Sequence, residues 1–152
     1  MTAIHIDIDH ASQHSGSTFF DCSGAYMRAK KTDSGLTVMS ISGEIDASNA
    51  DELSHRVSEL ASDCGALIVD LAEVDFIAIE GLRALFALNI ECARAGTTWA
   101  LIASHAVNRL LRVGDHDKLL PAMGSATEAL LLVRRSGRSR RSLQLVSPTL
   151  AG

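Results

Sequence analysis

The residues best able to do chemistry are acidic side chains near the predicted ends of strands. They are Asp46, Asp70, Glu73, Asp75 and Glu80. Two carboxylates at a suitable separation can act as general acid and general base, but the spacing of these residues defines no such pair. Carboxylates at the mouths of loops are more commonly solvated, or bound to backbone N–H groups at a helix start. The acidic residues therefore indicate a surface rather than a catalytic centre.

Sequence motifs that bind phosphate or a catalytic metal are absent. No GxxxxGK[ST] or GxGxxG loop follows a predicted strand, and HExxH, GxSxG and paired-cysteine spacings do not occur. A catalytic site normally requires polar or nucleophilic residues in a recognisable pattern of this kind. We therefore expect no enzymatic activity, no cofactor and no metal.

The start of the chain holds a second group of polar side chains that could bind a metal, namely His5, Asp7, Asp9 and His10. Nothing in the sequence fixes their geometry, so a flexible leader with incidental histidines is the favoured interpretation. The stretch "AIHIDID" also alternates apolar and polar residues, which leaves a short extra strand as an alternative.

Composition places the chain among ordinary globular proteins. Its 152 residues are 47% hydrophobic and 21% charged, enough for one domain with a single core. The net charge of -4 argues against general binding to nucleic acid, which requires many cations. No run of about 18 apolar residues predicts a membrane span, and the acidic N-terminus lacks the layout of a secretory signal. The expected compartment is the cytoplasm.

The cysteines Cys22, Cys64 and Cys92 are far apart in the sequence. An odd number without CxxC spacing fits neither a disulfide framework nor a zinc site. Buried or incidental thiols are the favoured interpretation, with a redox pair between Cys64 and Cys92 as the alternative.

Hydrophobic periodicity predicts alternating strands and helices after an opening hairpin. The predicted strands are 25–31, 36–43, 66–71, 97–103 and 118–123. The predicted helices are 48–65, 80–96, 104–114 and 126–135. Expected N-terminal caps are Ser48 with Asp51, Ser104, and Ser125 with Glu128. Because strand–helix alternation requires crossover connections, the order predicts a mixed, mostly parallel sheet of four to five strands with about four helices.

The ends of the chain are expected to lie outside this α/β domain, which spans residues 24–135. Residues 1–23 are predicted to be a flexible leader, and residues 136–152 a disordered basic tail. The tail charge could contact an acidic partner or a membrane surface, although a solvated tail is favoured.

Four stretches carry a resemblance to a known family. They are "ISGEIDASNADEL" (41–53), "ALIVDLAEVDFI" (66–77), "GLRALFAL" (81–88) and "SHAVNRLLRVGDHDKLL" (104–120). Together, in this order, they resemble the STAS domain of bacterial anti-sigma factor antagonists from residue 25 to about residue 133. The resemblance implies a single STAS-like domain with its helices mainly on one face of the sheet.

The resemblance also implies a function. Proteins of this type bind an anti-sigma factor, a kinase-like ATP-binding protein, and so regulate sigma-factor-dependent transcription without contacting nucleic acid themselves. The kinase switches them off by phosphorylating a Ser in a segment of the form D-S-[ST]-G-L. The implied contact surface here consists of Asp46, Ser48, Ala78, Ile79, Glu80, Gly81, Leu82 and Arg83.

The phosphorylation segment is degenerate in this chain. Aligning Gly81 and Leu82 with the family's Gly-Leu places Ala78 at the acidic position and Ile79 at the phosphorylated Ser. No residue with a hydroxyl group lies between Ala72 and Thr97, so a shifted acceptor in this turn is excluded as well.

Several side chains in this region retain two interpretations. Glu80 either stabilises the helix start through the helix dipole or places a permanent negative charge near the position of the phosphate. Ile79 either packs beneath the turn or is an exposed anchor for a partner. Asp46 either caps the helix that follows or contacts the partner.

Three functions follow from these observations. The first is an anti-sigma factor antagonist that cannot be phosphorylated at the usual place. The second is a scaffold or sensory STAS protein that self-associates or docks within a signalling assembly. The third is an enzyme or small-ligand binder that uses the loop mouths near Asp46 and Glu80.

Overall fold

The computed structural model describes residues 17–62 and 64–146, with side chains described as far as residue 137. In this part of the chain the strands are β1 (Ser17–Cys22), β2 (Ala25–Lys31), β3 (Leu36–Ile45), β4 (Ala66–Ile77), β5 (Thr98–Ala103) and β6 (Ala122–Met123). The helices are α1 (Ala50–Ala61), α2 (Ile79–Ala95), α3 (His105–Gly114) and α4 (Ala126–Val146).

The six strands form one mixed sheet in which spatial order follows chain order. β1, β2 and β3 are antiparallel, and β3 to β6 are parallel. Helices α1, α2 and α3 each connect two neighbouring parallel strands. Because these three crossovers have the same handedness and advance in the same direction across the sheet, the three helices lie on a common face. α4 packs on the opposite face against β4 and β5, in a smaller cluster built on Ile68, Ala100 and Val133. The predicted fold class, with helices mainly on one face, is confirmed with six strands instead of four to five.

The local signals at several helix starts are also confirmed. Ser104 caps α3, because its Oγ accepts a hydrogen bond from the Val107 N–H at 3.2 Å. Ser125 accepts in the same way from the Glu128 N–H at 3.2 Å, and the Glu128 carboxylate accepts from the Gly124 N–H at 2.9 Å. Ser48 does not cap α1, since the N-terminal capping position belongs to Asn49.

β1 occupies part of the segment that the sequence assigns to a leader. Residues 17–22 pair antiparallel with β2 through a tight turn in which Ser23 and Gly24 both have positive φ, 47° and 97°. Such a two-residue turn joins strands whose twist it matches. The leader prediction is therefore wrong for residues 17–22, while residues 1–16 and their metal-binding candidates lie outside the described residues.

α4 occupies part of the segment that the sequence assigns to a disordered tail. The helix continues through residues 136–146, beyond the predicted domain boundary at residue 135. The prediction failed because this stretch lacks an apolar period, whereas a helix already anchored by Ala129 and Val133 can extend without one. Residues 147–152 lie outside the described residues.

Two bulges in β4 change which of its side chains face the core. Ser40 pairs with Asp70 and Ser42 with Glu73, so β4 holds one extra residue there, and another between Val74 and Phe76. Each bulge shifts the alternation by one position. The buried residues beyond the first bulge consequently recur every third position, at Leu71, Val74 and Ile77.

Gly43 allows the β1–β2 turn to lie against β3. Its φ is +94°, and a Cβ at this position would collide with the carbonyl oxygen of Gly24. That oxygen accepts a hydrogen bond from the Glu44 N–H at 3.1 Å. Only glycine satisfies both the positive φ and the close backbone contact.

The buried amide of Asn49 ties three chain segments together. Its Nδ2 donates to the carbonyl oxygens of Ser23 at 3.1 Å and Glu44 at 2.8 Å, and its Oδ1 accepts from the Asp46 N–H at 3.0 Å. The side chain is 1% exposed. Asn49 therefore joins the β1–β2 turn, the end of β3 and the turn before α1.

Gly43→Ala is expected to lower the free energy of unfolding by on the order of 1–3 kcal/mol, because alanine at this φ is strained and its methyl group meets immobile backbone. Gly65→Ala is the matched control, since a Cβ there has no neighbour within 4 Å and φ is not positive. Urea denaturation of the two variants measures the difference. Equal stability would show that the turn can move away from β3.

Asn49→Ala is expected to destabilise the fold by about 3 kcal/mol, since three partly buried backbone groups each lose a partner at roughly 1 kcal/mol. Asn108→Ala, at an exposed position on α3, is the control. Urea denaturation is again the measurement, and a loss below about 1 kcal/mol would contradict the assigned role of the Asn49 amide.

Candidate functional site

The candidate site consists of two adjacent turns at the carboxyl ends of β3 and β4. Ile45 and Ile77 are paired at the ends of these parallel strands, and the Ala78 N–H donates to the Ile45 carbonyl oxygen at 2.8 Å. The turn of residues 46–48, which leads to α1, therefore lies beside the turn of residues 78–80, which begins α2. The structure brings together the two segments that the sequence predicts to form a contact surface.

The first turn is organised by the Asp46 carboxylate. Its Oδ1 accepts hydrogen bonds from the Ser48 backbone N–H at 2.9 Å and from the Ser48 hydroxyl. The hydroxyl and then the backbone N–H of Ser48 lower the pKa of Asp46, which keeps this partly exposed carboxylate ionised at neutral pH. Asp46 thus shapes the turn before α1, and the interpretation of its carboxylate as the helix cap is wrong. Its partner-contact interpretation stays a prediction.

The second turn is the start of α2 and has little polar character. Ala78 occupies the N-terminal capping position with extended backbone angles, and no side chain caps this helix. Glu80 lies in the first turn of α2, half-buried, where the helix dipole favours an anion. Among the described residues its carboxylate has no hydrogen bond or ion pair, so Glu80 is not a capping side chain in the strict sense.

Ile79 extends into solvent instead of packing beneath the turn. Its side chain is 47% exposed, and Arg83 on the next turn of α2 is exposed as well. Gly81 and Leu82 are buried, so they can support the site but cannot contact a partner directly. The site therefore presents an exposed aliphatic side chain between a cationic and two anionic groups.

Gly81 has a specific packing role in this arrangement. A Cβ on Gly81 would approach the side chains of Ile77 at 2.6 Å and Ile45 at 2.9 Å. The absence of a side chain lets α2 begin directly against the ends of β3 and β4. Leu82 packs similarly closely against Gly114 at the end of α3.

Phe76 is a surface residue of the site that the sequence analysis missed. It lies directly before Ile77 and is 50% exposed. It lies beyond the predicted strand of residues 66–71, so the sequence analysis assigned it no position, whereas β4 extends through Ile77. The aromatic type of the residue was the available signal, because exposed aromatic side chains are enriched in protein interfaces.

The cavity behind the site is too small for an organic ligand. It lies between α1, α2 and the sheet, has a volume of about 40 Å³, and is lined almost entirely by apolar side chains, including Ile45, Ile77 and Gly81. Small-molecule sites commonly have volumes of about 300–1,000 Å³. Within residues 17–62 and 64–146, no three His, Cys, Asp or Glu side chains lie together as a metal site would require.

The cysteines do not have the properties of a reactive pair. Cys22 and Cys92 are buried, and Cys64 is partly exposed. Burial, with the neighbouring Cys64 as the next cause, raises the pKa of the Cys92 thiol to about 12. Burial also raises the pKa of Cys22. Because the thiolate is the nucleophile, the protonated Cys22 and Cys92 thiols are poorly reactive at neutral pH.

None of the helices in the described ranges is long and apolar enough to cross a membrane. Near the carboxyl end of β4, two large apolar side chains are about half exposed, Phe76 and Ile79.

Comparison with curated proteins identifies two relatives from Mycobacterium tuberculosis. The chain is 33% identical over 140 residues to osmosensory protein A, covering 90% of this chain and 87% of that protein. It is 29% identical over 101 residues to the anti-sigma-F factor antagonist RsfB, covering 66% of this chain and 83% of that protein.

Solved structures show the same architecture. An anti-sigma factor antagonist from Mycobacterium paratuberculosis matches with a TM-score of 0.64 and 29% identity, covering 72% of this chain and 94% of that one. Unphosphorylated SpoIIAA, an anti-sigma factor antagonist, matches with a TM-score of 0.59, covering 71% of this chain and 96% of that one. At 14% identity this second likeness concerns the fold alone.

Comparison with protein families agrees with the resemblance predicted from the sequence. Residues 26–130 match the STAS domain, and this range contains the paired ends of β3 and β4 and the glycines that shape them. Because the match spans more than half of the chain, the protein belongs to the STAS domain family.

Proposed function

We propose that this protein is an anti-sigma factor antagonist that docks on a kinase-like anti-sigma factor and cannot be switched off by phosphorylation of the α2 turn. The observation that carries the proposal is the hydroxyl-free turn of residues 78–80, in which Ile79 is 47% exposed beside the Asp46 turn. Two of the similar proteins are named as anti-sigma factor antagonists. Their names support the class of partner, and the surface chemistry supports docking.

The docking contact is centred on Phe76 and Ile79. Both side chains are about half exposed, at 50% and 47%, and between them in the chain lie Ile77, which ends β4, and Ala78, which precedes α2. A few large apolar side chains commonly carry most of the free energy of binding in an interface. Asp46, Ser48 and Arg83 surround them with polar groups that can set the orientation of the partner.

Loss of the phosphate acceptor changes how such an interface can be regulated. A phosphoserine adds nearly two negative charges and would oppose docking at this position. Ile79 cannot accept a phosphoryl group, and Glu80 supplies only a single charge at the neighbouring position. We infer that the interface remains competent for docking whenever its partner is present, and that the protein acts by binding rather than by catalysis.

A scaffold or sensory protein is the second candidate. It is favoured by the relative named osmosensory protein A, which covers 90% of this chain at 33% identity. Light scattering on the purified protein separates the candidates. A large homo-oligomer would indicate a scaffold, whereas a monomer or dimer that captures a kinase-like ATP-binding protein from its native cell would indicate an antagonist.

Phe76→Ala and Ile79→Ala are each expected to weaken binding of the captured partner about ten-fold or more, because each removes a central apolar contact. Titration calorimetry measures the affinity. Ile90→Ala is the matched control, since Ile90 is 53% exposed on the same helix but about 16 Å further along its axis. If the Ile90 variant weakens binding as much as the Ile79 variant, docking is not centred on the α2 start.

The double variant Ala78→Asp, Ile79→Ser is expected to gain phosphorylation by the partner kinase at residue 79, because it restores an acid followed by a hydroxyl group. The single variant Ala78→Asp is the control that lacks the hydroxyl. Mass spectrometry after incubation with partner and ATP measures the transfer. Stoichiometric phosphorylation of the unaltered protein elsewhere, with loss of binding, would show that it retains a phosphorylation switch.

A further inference from the structure

A groove lies on the face of the sheet opposite α1, α2 and α3. On this face α4 packs against β4 and β5 and, within the described residues, leaves β2 and the adjacent part of β3 uncovered. The groove between α4 and these strands has a volume of about 670 Å³, within the range of about 300–1,000 Å³ that small-molecule sites commonly have. None of the predicted site residues lines it. The groove is therefore a possible ligand site separate from the candidate functional site.

The groove is basic although the net charge of the chain is -4. Arg28 and Lys30 of β2 and Arg134 of α4 contribute to its lining, and no carboxylate does. Within the described ranges these three cations form no salt bridge. Asp70 of β4 lies outside the lining, and its Oδ1 accepts a hydrogen bond from the Ala72 N–H at 2.9 Å. Three cations that face one groove without a carboxylate favour an anionic ligand.

The groove has a polar end and an apolar end. At the polar end Arg28 of β2 lies opposite Ser40 of β3. At the apolar end Leu36 of β3 lies opposite Ala66 of β4. Ser40 follows Leu36 by four residues in the same strand, which corresponds to about 13 Å. A ligand that matches both ends therefore carries its charge at one end and an apolar chain at the other.

An apolar wall lines the groove on the side of β3 and α4. Val38 of β3 and Leu130 and Val133 of α4 contribute to it. Val38 and Leu130 are only partly buried, so they retain apolar surface that a ligand can cover. The hydroxyl groups of Thr32 and Ser34, which also line the groove, are hydrogen-bonded to each other at 2.9 Å. The wall therefore offers mainly apolar contact to a ligand.

This combination of groups disfavours a nucleotide as the ligand. No aromatic side chain lines the groove for a base to stack on, and no carboxylate lines it to bind the ribose hydroxyl groups. An unbranched hydrocarbon chain with a charged head group uses both ends of the groove, because the cations bind the head group and each buried methylene group adds apolar contact. The chemistry of the groove therefore selects an anionic amphiphile.

We propose that this groove binds a single-chain amphiphile with an anionic head group, either a carboxylate or a phosphate. The head group lies between Arg28 and Lys30 on the sheet and Arg134 on α4, and the chain lies along the apolar wall toward Leu36. This inference goes beyond the proposed function and is independent of it, because no residue of the docking site lines the groove.

Titration calorimetry with the full-length protein tests the inference. The probes are decanoate, decyl phosphate and decanol, each below the concentration at which it aggregates. We expect saturable binding of the two anions, and about ten-fold or more weaker binding of decanol, because the alcohol lacks charge-assisted contacts with the cations. Tighter binding of decyl phosphate would assign a phosphate head group to the ligand, and tighter binding of decanoate a carboxylate.

The double variant Lys30→Gln, Arg134→Gln is expected to weaken binding of the preferred anion about ten-fold or more, since two of the cations that contact the head group are lost. Lys31→Gln, Arg135→Gln is the matched control. It removes the same charge from the next residue of the same strand and the same helix, and neither residue lines the groove. All of these side chains are exposed, so the fold should persist, and thermal unfolding checks this.

Amide resonances of the unaltered, ¹⁵N-labelled protein locate the ligand without any substitution. The anion should shift the resonances of Val38, Ser40 and Leu130, which line the groove, more than those of Ile79 and Arg83 in the docking site. Equal weakening by the two double variants would overturn the inference, because binding would then depend on diffuse charge. Decanol that binds as tightly as the anions would also overturn it, as would binding to phosphatidylglycerol vesicles without binding of either decyl anion.

Discussion

The arrangement of the candidate site depends on the buried amide of Asn49. One side chain satisfies the carbonyl oxygens of Ser23 and Glu44 and the N–H of Asp46, at 2.8–3.1 Å, and Ser23 lies 26 residues earlier in the chain. An amide is the side chain suited to this position, because it offers donors and an acceptor without charge. The amide holds the end of β3 in place, and the Ile45 carbonyl there receives the first N–H after β4. The starts of α1 and α2 are thereby fixed relative to each other.

In the proposed function, a docking surface built in this way is ordered before a partner binds. Gly43 and Gly81 provide the close approaches that a side chain would prevent, one between backbone segments and the other between α2 and the strand ends. A pre-organised surface loses little conformational entropy on binding, so a small apolar centre can supply useful affinity. This is the physical reason why exposed Phe76 and Ile79 are better suited to docking than the same residues on a mobile loop would be.

The two faces of the sheet have different chemistry. The face that carries α1, α2 and α3 contains the larger core, and its edge presents the site at the strand ends. The opposite face is only partly covered by α4, and its uncovered part is cationic. In the proposed function the site is a docking surface that is not modified at the α2 turn, so any control of the protein has to act through partner supply or through another part of the molecule.

Local sequence was sufficient for most elements of the fold. The alternation of apolar residues, the hairpin turn of residues 32–35 and the Ser104 cap each depend on neighbours within a few positions, and each was predicted and is present. The lack of a hydroxyl group between residues 72 and 97 is likewise a property of the sequence alone. The resemblance to the STAS family placed the α2 turn and the turn after β3 in one surface, and the structure brings them together.

Other features depend on pairing between segments that are distant in the chain. The bulges of β4 exist only relative to β3, so the burial of Val74 between Leu71 and Ile77 could not be derived from a regular strand alternation. The edge strand β1, the long-range hydrogen bond from Asn49 to Ser23 and the position of α4 on the opposite face have the same origin. Local propensity and periodicity describe a segment by itself, whereas strand register and burial are set by which segments meet, and that is a property of the tertiary structure.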